Sequence, residues 1–329
     1  MSQRPAAKSS DLFEFRKVAD GVHVAVARPV YKVNSNTAIV ETGDGLLVVD
    51  SHSKPSAARV VLQQLRDITS KPVRYVVNTH FHWDHWQGNE VYPAAYPNVE
   101  VITNDITREA MVRKSLKRIQ DHLRSVPAEI TALKGQLAAA TDADQRAELS
   151  SSLRQAEAYL EEIRALRPAL PTMAFENTMR IFQRDREIHL LYLGRAHTEG
   201  DVFVYLPKEK IVITGDAVIA WTPFMGDGYP EDWVRTLDRL ERLDFTTMLM
   251  GHGEPAGREW LSVFRGYVHD LVEAVRREAA TGATLDEVKR RVPDALAPVY
   301  EQAFSKYAAY RPWRQGILTN IERIFATVS

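Results

Sequence analysis

The chain has no cysteine among its 329 residues. Disulfides and thiolate ligands are therefore excluded together, and a reducing compartment suits the composition. It has no run of about 18 apolar residues, so no segment is expected to span a bilayer. It has almost no net charge. The 42 Lys and Arg against 43 Asp and Glu leave −1, which gives no general attraction to nucleic acid or to an anionic membrane. The stretch Met1 to Lys17 is polar and lacks the apolar core of a secretory signal, so the expected location is cytoplasmic. Glycine is nearly missing from residues 104–167, where Gly135 stands alone, and that region reads as helical.

What the chain does hold in concentrated form is histidine beside aspartate. Residues Val76 to Glu90 read Val-Val-Asn-Thr-His-Phe-His-Trp-Asp-His-Trp-Gln-Gly-Asn-Glu. The apolar run Val73–Val77 reads as a buried strand that stops at Asn78-Thr79, and His80, His82, Asp84 and His85 follow at once. Alternate residues of an extended segment face the same way, so His80 and His82 can grip one ion. Asp84 and His85 begin the next turn and can point at a second. Imidazole with carboxylate suits zinc, iron or manganese. A surface loop that is rich in histidine by chance is the plainer alternative, and the clustering at a strand end speaks against it. Three more candidates stand at strand ends. His197 lies in Gly-Arg-Ala-His-Thr-Glu-Gly-Asp, Asp216 in Ile-Thr-Gly-Asp-Ala-Val and His252 in Met-Gly-His-Gly-Glu-Pro. Glycines beside Asp216 and His252 allow a sharp turn and a close approach of backbone to the site.

Taken in order, the chain opens on a flexible leader, 1–11. Short strands and turns follow from Phe13 to Val49, with a hairpin around Gly43-Asp44-Gly45. Ser53 is the expected cap of a helix with Pro55 in its first turn and Ala58, Val61, Leu62, Leu65 and Ile68 on one face. Within 104–167, Leu116, Ile119, Leu123, Val126, Ile130, Leu133 and Leu137 form a heptad stripe, and Pro127 is expected to kink or restart that helix. Asp142 with Gln145 caps a second helix, whose stripe is Leu149, Leu153, Ala156, Leu160 and Ile163. Two stripes joined by a short polar turn predict an antiparallel helical hairpin. Strands return after Pro171. From Arg258 the chain is helical, with a capping box at Thr284 and Glu287. The division is thus a core over 12–255, a hairpin inserted over 104–167, and a helical C-terminal extension over 256–329. His52 reads as a supporting or structural residue. His23, His122, His189 and His269 read as ordinary strand or helix positions.

The motif His-x-His-x-Asp-His, followed in order by His197, Asp216 and His252, resembles the signature of the metallo-β-lactamase superfamily, over about residues 20 to 255. The resemblance implies an α/β (α+β) fold, the αββα sandwich: two sheets face to face, helices outside, and a metal cleft at one edge. It implies that His80, His82 and His197 bind one metal, that Asp84, His85 and His252 bind the other, and that Asp216 bridges them. Two divalent ions, zinc first with iron or manganese as alternatives, would share a hydroxide that attacks a carbonyl. Asp84 and Asp216 are the carboxylates expected to serve catalysis.

Departures from the family's branches narrow this reading. The lactamases with a cysteine ligand are excluded, and the all-histidine lactamases lack the bridging aspartate. The ligand set is nearest to the glyoxalase II and acyl-homoserine-lactonase branches, although Trp86-Gln87-Gly88 follows His85 where those branches carry small residues. Trp83, Trp86, Trp221, Pro223, Phe224 and Met225 are candidates for an apolar cleft wall, which suits an apolar ester, thioester, lactone or lactam better than a highly charged substrate. An iron-dependent redox enzyme resembling persulfide dioxygenases is the alternative from another reaction class. A phosphodiesterase or nuclease is a third reading, disfavoured by the absence of a basic run. The expected partner is a small-molecule substrate, with neither nucleic acid nor membrane. The hairpin can cover the cleft or form a homodimer contact.

Overall fold

A computed structural model describes residues 10–28, 32, 34–183, 186–308 and 310–328. The leader expected over 1–11 falls outside the described residues up to residue 9. Two sheets form the centre. In the first, β1 (Phe13–Ala19), β2 (Val22–Ala27), β3 (Thr37–Glu41) and β4 (Leu46–Val49) pair antiparallel in that order. β5 (Val73–Val77), β6 (Glu100–Asn104) and β7 (Met173–Phe175) then add in parallel. The second sheet has the order β12-β11-β10-β9-β8. Its strands are β8 (Thr178–Gln183), β9 (Arg186–Tyr192), β10 (Val202–Leu206), β11 (Ile211–Gly215) and β12 (Thr247–Met250).

Alternation decides how the sheets pack. Val22, Val24 and Val26 of β2 share one face with Val40, Leu47, Val49 and Val77, and that face meets Leu190, Val204 and Ile213 of the second sheet. The opposite face of the first sheet, Ile39, Val48 and Val76, lies under α1 (Pro55–Ile68), whose Ala58, Val61, Leu62 and Leu65 cover it. The outer face of the second sheet, with Phe203, Val212 and Met248, is covered by Trp233 and Leu237 of α7 (Pro230–Glu241), Phe264 and Leu271 of α8 (Arg258–Ala280), and Ile317 and Ile321 of α10 (Trp313–Val328). Between α8 and α10, α9 (Leu285–Phe304) starts with the expected Thr284–Glu287 capping box. The result is the αββα sandwich. Both faces of β4 are buried, as the neighbour of a parallel array requires.

Two local expectations fail. Ser53 does not cap α1. Lys54 holds the cap position, and Ser53 Oγ donates instead to Asn34 Oδ1 at 2.6 Å. Pro127 does not restart its helix: α5 (Leu116–Ala139) is continuous across it. Thr131 Oγ1 donates to the Pro127 carbonyl at 3.0 Å, one turn further on.

The hairpin is α5 against α6 (Ala143–Ala165), with Asp142 accepting from the Gln145 N–H at 2.8 Å. Its outer part has a small core of its own: Val126 and Ile130 pack on Ala156, Tyr159, Leu160 and Ile163. Its root is not. A short helix (Asp105–Ala110) and a wide turn (Met111–Ser115) lead into α5. Ala110, Met111 and Ile119 close on Phe81 and Trp86, directly beneath the histidine-rich loop. Ser115 Oγ donates to the Phe81 carbonyl at 2.6 Å. The root therefore helps to hold that loop, and an excision beginning at residue 110 would strip its floor. We predict that Ile119→Ala lowers stability by about 2–4 kcal/mol, as for other buried aliphatic side chains cut to alanine. Leu137→Ala, near the half-exposed tip, costs less than half as much. Urea denaturation of both variants measures the contrast, and equal losses would place the root outside the core.

Candidate metal centre

The site lies where strands end. β4 ends at Asp50, β5 at the Asn78–His85 loop, β11 at Asp216 and β12 at His252. The turn between β9 and β10 carries His197. Two glycines permit the convergence. Gly215 has φ +51, and any Cβ there would meet Thr79 Oγ1 at 2.6 Å. A Cβ on Gly251 would overlap Asp216 Oδ1.

All seven sequence candidates come together, and all seven are buried. His80, His82 and His197 offer ligand atoms within 4.8 Å of one another. The groups His80, His85, Asp216 and Asp84, His85, His252 meet the same limit. Asp216 joins them. Its Oδ1 is 3.3 Å from His85 Nε2, and its Oδ2 is 3.4 Å from His252 Nε2 and 3.6 Å from His197 Nε2. Asp84 Oδ2 is 3.1 Å from His252 Nε2.

Carboxylates behind the histidines choose their tautomers. Asp50, at φ +64, accepts from the Thr79 N–H at 2.8 Å and from Thr79 Oγ1 at 2.8 Å. Its Oδ2 also accepts from His85 Nδ1 at 2.7 Å, which leaves His85 Nε2 turned to the centre. Asp227 Oδ2 takes His82 Nε2 at 2.9 Å, which leaves His82 Nδ1 turned inward, 2.9 Å from His197 Nε2. Arg118 of α5 holds both Asp227 oxygens at 2.8 Å. His52 lies apart from the centre. Its Nδ1 meets the Ser35 carbonyl and its Nε2 meets Thr37 Oγ1, each at 2.9 Å. Burial first of all holds it neutral, with a pKa of about 3.

The residues fit a pair of cations. His80 Nε2, His85 Nε2 and Asp216 Oδ1 are buried without any hydrogen-bond partner among the described residues, an arrangement that costs free energy unless something binds there. The charges point the same way. Burial holds His80 well below its ordinary pKa and His197 at about 3, so both present neutral rings. At His252 burial pulls downward, but Asp216 and then Asp84 outweigh it and lift the pKa to about 9. Burial also opposes ionisation of Asp216, yet His252 and His85 hold it well below the carboxylate range. The carboxylates thus draw positive charge to the very place where the free ligand atoms converge. Nitrogen and oxygen donors in this mixture suit a divalent transition metal.

A cleft of about 530 Å³ opens over these groups. Trp83, Trp221 and Phe224 line it as expected. Trp86 does not: it is buried against Phe81 and Met111. Met225 lies in the core behind the second sheet, and Pro223 is buried as well. His122, read from sequence as an ordinary helix position, also lines the cleft, with its Nδ1 2.9 Å from the Tyr159 hydroxyl. Asp50, Asp227, Arg118 and Arg311 escaped the sequence reading altogether. Asp50 carried one usable signal, an acid at the end of a strand next to β5. The others depend on which loops and helices meet across the cleft, and the local sequence is silent on that.

A sequence model of the family described as the metallo-beta-lactamase superfamily matches residues 30–166 and 180–252. The linear primary-alkylsulfatase of a Pseudomonas species is 22% identical over 321 residues, covering 87% of this chain and 57% of that protein. The alpha subunit of 2,4-dinitroanisole O-demethylase from a Nocardioides species is 23% identical over 220 residues, or 66% of this chain and 52% of that one. The chain spans little more than half the length of these curated relatives. Among solved structures, a metallo-beta-lactamase from Pontibacter korlensis superposes with a TM-score of 0.57 at 18% identity, over 78% of this chain and 99% of that one. That likeness is one of fold.

Groups that orient a metal-binding histidine commonly matter about 10- to 100-fold in affinity. Asp50→Ala is expected to weaken zinc binding by that factor, and His52→Gln by less than about threefold. Competition against a chromophoric chelator measures both. Equal effects would mean that His52 belongs to the centre.

Proposed function

The chain belongs to the metallo-beta-lactamase superfamily, and from that premise we propose that it is a metal-dependent hydrolase with two divalent ions, zinc foremost. The observation that carries this reading is the meeting of three partnerless buried ligand atoms, on His80, His85 and Asp216, inside a ring completed by His82, Asp84, His197 and His252. In this reading His80, His82 and His197 hold one ion, Asp84, His85 and His252 hold the other, and Asp216 serves both. Such ions supply polarisation of the scissile group and a water whose pKa falls from 15.7 to roughly 7.

The chain's own residues do the rest. Asp50 and Asp227 hold His85 and His82 in opposite tautomers, so each presents a lone pair inward. Asp84, which lines the cleft, would in this reading take a proton from the attacking water. Trp83, Trp221 and Phe224 keep the cleft apolar beside the reacting bond and seat the non-reacting part of the substrate. The substrate we propose is an ester, thioester, lactone or lactam. Sulfate esters join that class, because the Pseudomonas relative is by name an alkylsulfatase and is similar over most of this chain. An iron-dependent oxygen reaction is the competing outcome of metal analysis.

The purified protein is expected to carry about two metal ions per chain. Chelation should abolish hydrolysis of p-nitrophenyl esters, and zinc or manganese should restore it. Asp216→Ala should lower metal content and turnover together, because a single carboxylate faces both ligand groups. Hydrolysis by protein shown metal-free by elemental analysis would overturn the reading.

A further inference from the structure

We propose that Arg311 anchors a negatively charged group of the substrate, a carboxylate or a sulfate, in the cleft beside the candidate metal centre. The proposal rests on the reading of that cleft as the active site.

The acids that line the cleft wall are each engaged. Asp227 is held by Arg118. Asp121 is held by Lys117 and Arg124. Asp84 and Asp216 face His85 and His252. Outside the ligand group, each acid on the wall has its own cation, and Arg118 is engaged with both oxygens of Asp227. Arg311 is the exception. It lines the same cleft, yet no acidic side chain among the described residues pairs with it. Its Nε is fully buried without a hydrogen-bond partner. One terminal nitrogen reaches only neutral oxygens, the Gly316 carbonyl and Thr319 Oγ1. Burial pulls its pKa below the ordinary arginine value, and no carboxylate counters that. A guanidinium in such a place is costly until an anion arrives, and its planar fork suits carboxylate or sulfate oxygens.

The surroundings say how the anion would sit. The Arg311 guanidinium lies over the Phe224 ring, 5.7 Å from its centroid, and that ring is 6.0 Å from the ring of His82. Phe224 is 40% exposed, so its free face is available to a ligand. The neighbouring Tyr310 stacks at 4.8 Å on Trp221, whose ring is 4.9 Å from that of His252. Tyr310 and Arg311 therefore close the cleft with an aromatic floor that runs to the metal centre and a cation at its edge. A ligand with an apolar part and a negative charge matches both. Arg311 lies outside the residues that match the family, so this anchor belongs to the C-terminal extension.

The test uses the zinc-loaded protein and two variants, Arg311→Met and Arg311→Lys. Hexane-1-sulfonate, which cannot be hydrolysed, and 1-hexanol are titrated by calorimetry. Wild type should bind the sulfonate more tightly than the alcohol. Arg311→Met should lose roughly 10- to 100-fold on the sulfonate and far less on the alcohol, the scale of one charge-assisted hydrogen-bonded contact. Arg311→Lys should recover part of the loss, which a purely structural role at the start of α10 would not produce. Metal content, measured in parallel, should not change. In turnover, KM should rise more than kcat falls. If it rises on p-nitrophenyl sulfate, the anchored anion is the reacting group. If it rises on the p-nitrophenyl monoester of succinate, the anion is remote from the reacting bond. Equal loss of sulfonate and alcohol, or no loss of either, would overturn the proposal. An absence of turnover with all substrates would count against the hydrolase reading alone, because the calorimetric contrast is independent of it.

Discussion

Five imidazoles and two carboxylates buried around one point set the terms for everything near them. Each would lose free energy on leaving water unless another charge or a hydrogen bond replaced the solvent. The protein meets most of that need on the outer side of the rings, through Thr79, Asp50 and Asp227. It leaves the inner atoms of His80, His85 and Asp216 bare. That division explains the local backbone. Asp50 and Gly215 both sit at positive φ, one to aim its carboxylate beneath the loop and the other to let Thr79 pass close. A non-glycine residue held at such an angle is conformationally costly, and buried hydrogen bonds from Thr79 and His85 offset that cost.

The strand ends place the ligands, but the hairpin and the C-terminal segment shape the cleft. The hairpin contributes Arg118 and His122, and the turn before α10 contributes Tyr310 and Arg311. Neither addition is merely peripheral. The hairpin root shares a core with Phe81 and Trp86 under the ligand loop, and α10 packs behind the second sheet. Ligand choice in this cleft can therefore vary through the additions while the strand ends stay fixed. This is the usual division between a rigid scaffold and the segments that carry specificity.

The metal centre was readable from sequence because its information is local. His80, His82, Asp84 and His85 sit within one turn of chain, and His197, Asp216 and His252 each follow an apolar run that ends in a tight turn. The strands were readable for a related reason: alternation at Val22 to Val26 directly reflects a two-faced sheet. Ser53 and Pro127 were misread because tertiary partners outweighed local preference. Asn34 took the Ser53 hydroxyl, and packing along Val126 and Ile130 held α5 together across the proline. Trp86 looked like a cleft residue because it adjoins His85. A single helical turn rotates it into the core instead. Asp227 and Arg118 are 109 positions apart, and no local pattern could have joined them.

The two ligand groups differ in which ring nitrogen faces the centre. His82 turns its Nδ1 inward, whereas His80 and His85 turn Nε2. In a short extended segment this is the geometry that lets neighbouring imidazoles reach a common point, since one ring must use its nearer nitrogen. The outward nitrogen then needs an acceptor on the opposite side. For His85 that acceptor is Asp50, buried in the strand ends and tied to Thr79. For His82 it is Asp227, on the cleft wall, and Asp227 is itself gripped by Arg118 from the hairpin. The group around His85 is therefore oriented by a carboxylate of the sandwich, with the hairpin root packed beneath it through Trp86. The group around His82 is oriented through a carboxylate that the hairpin itself holds. The hairpin thus aims one ligand directly, through Arg118 and Asp227, and supports the loop that carries its neighbours through Phe81 and Trp86, so the cleft wall and the metal centre are coupled at both levels.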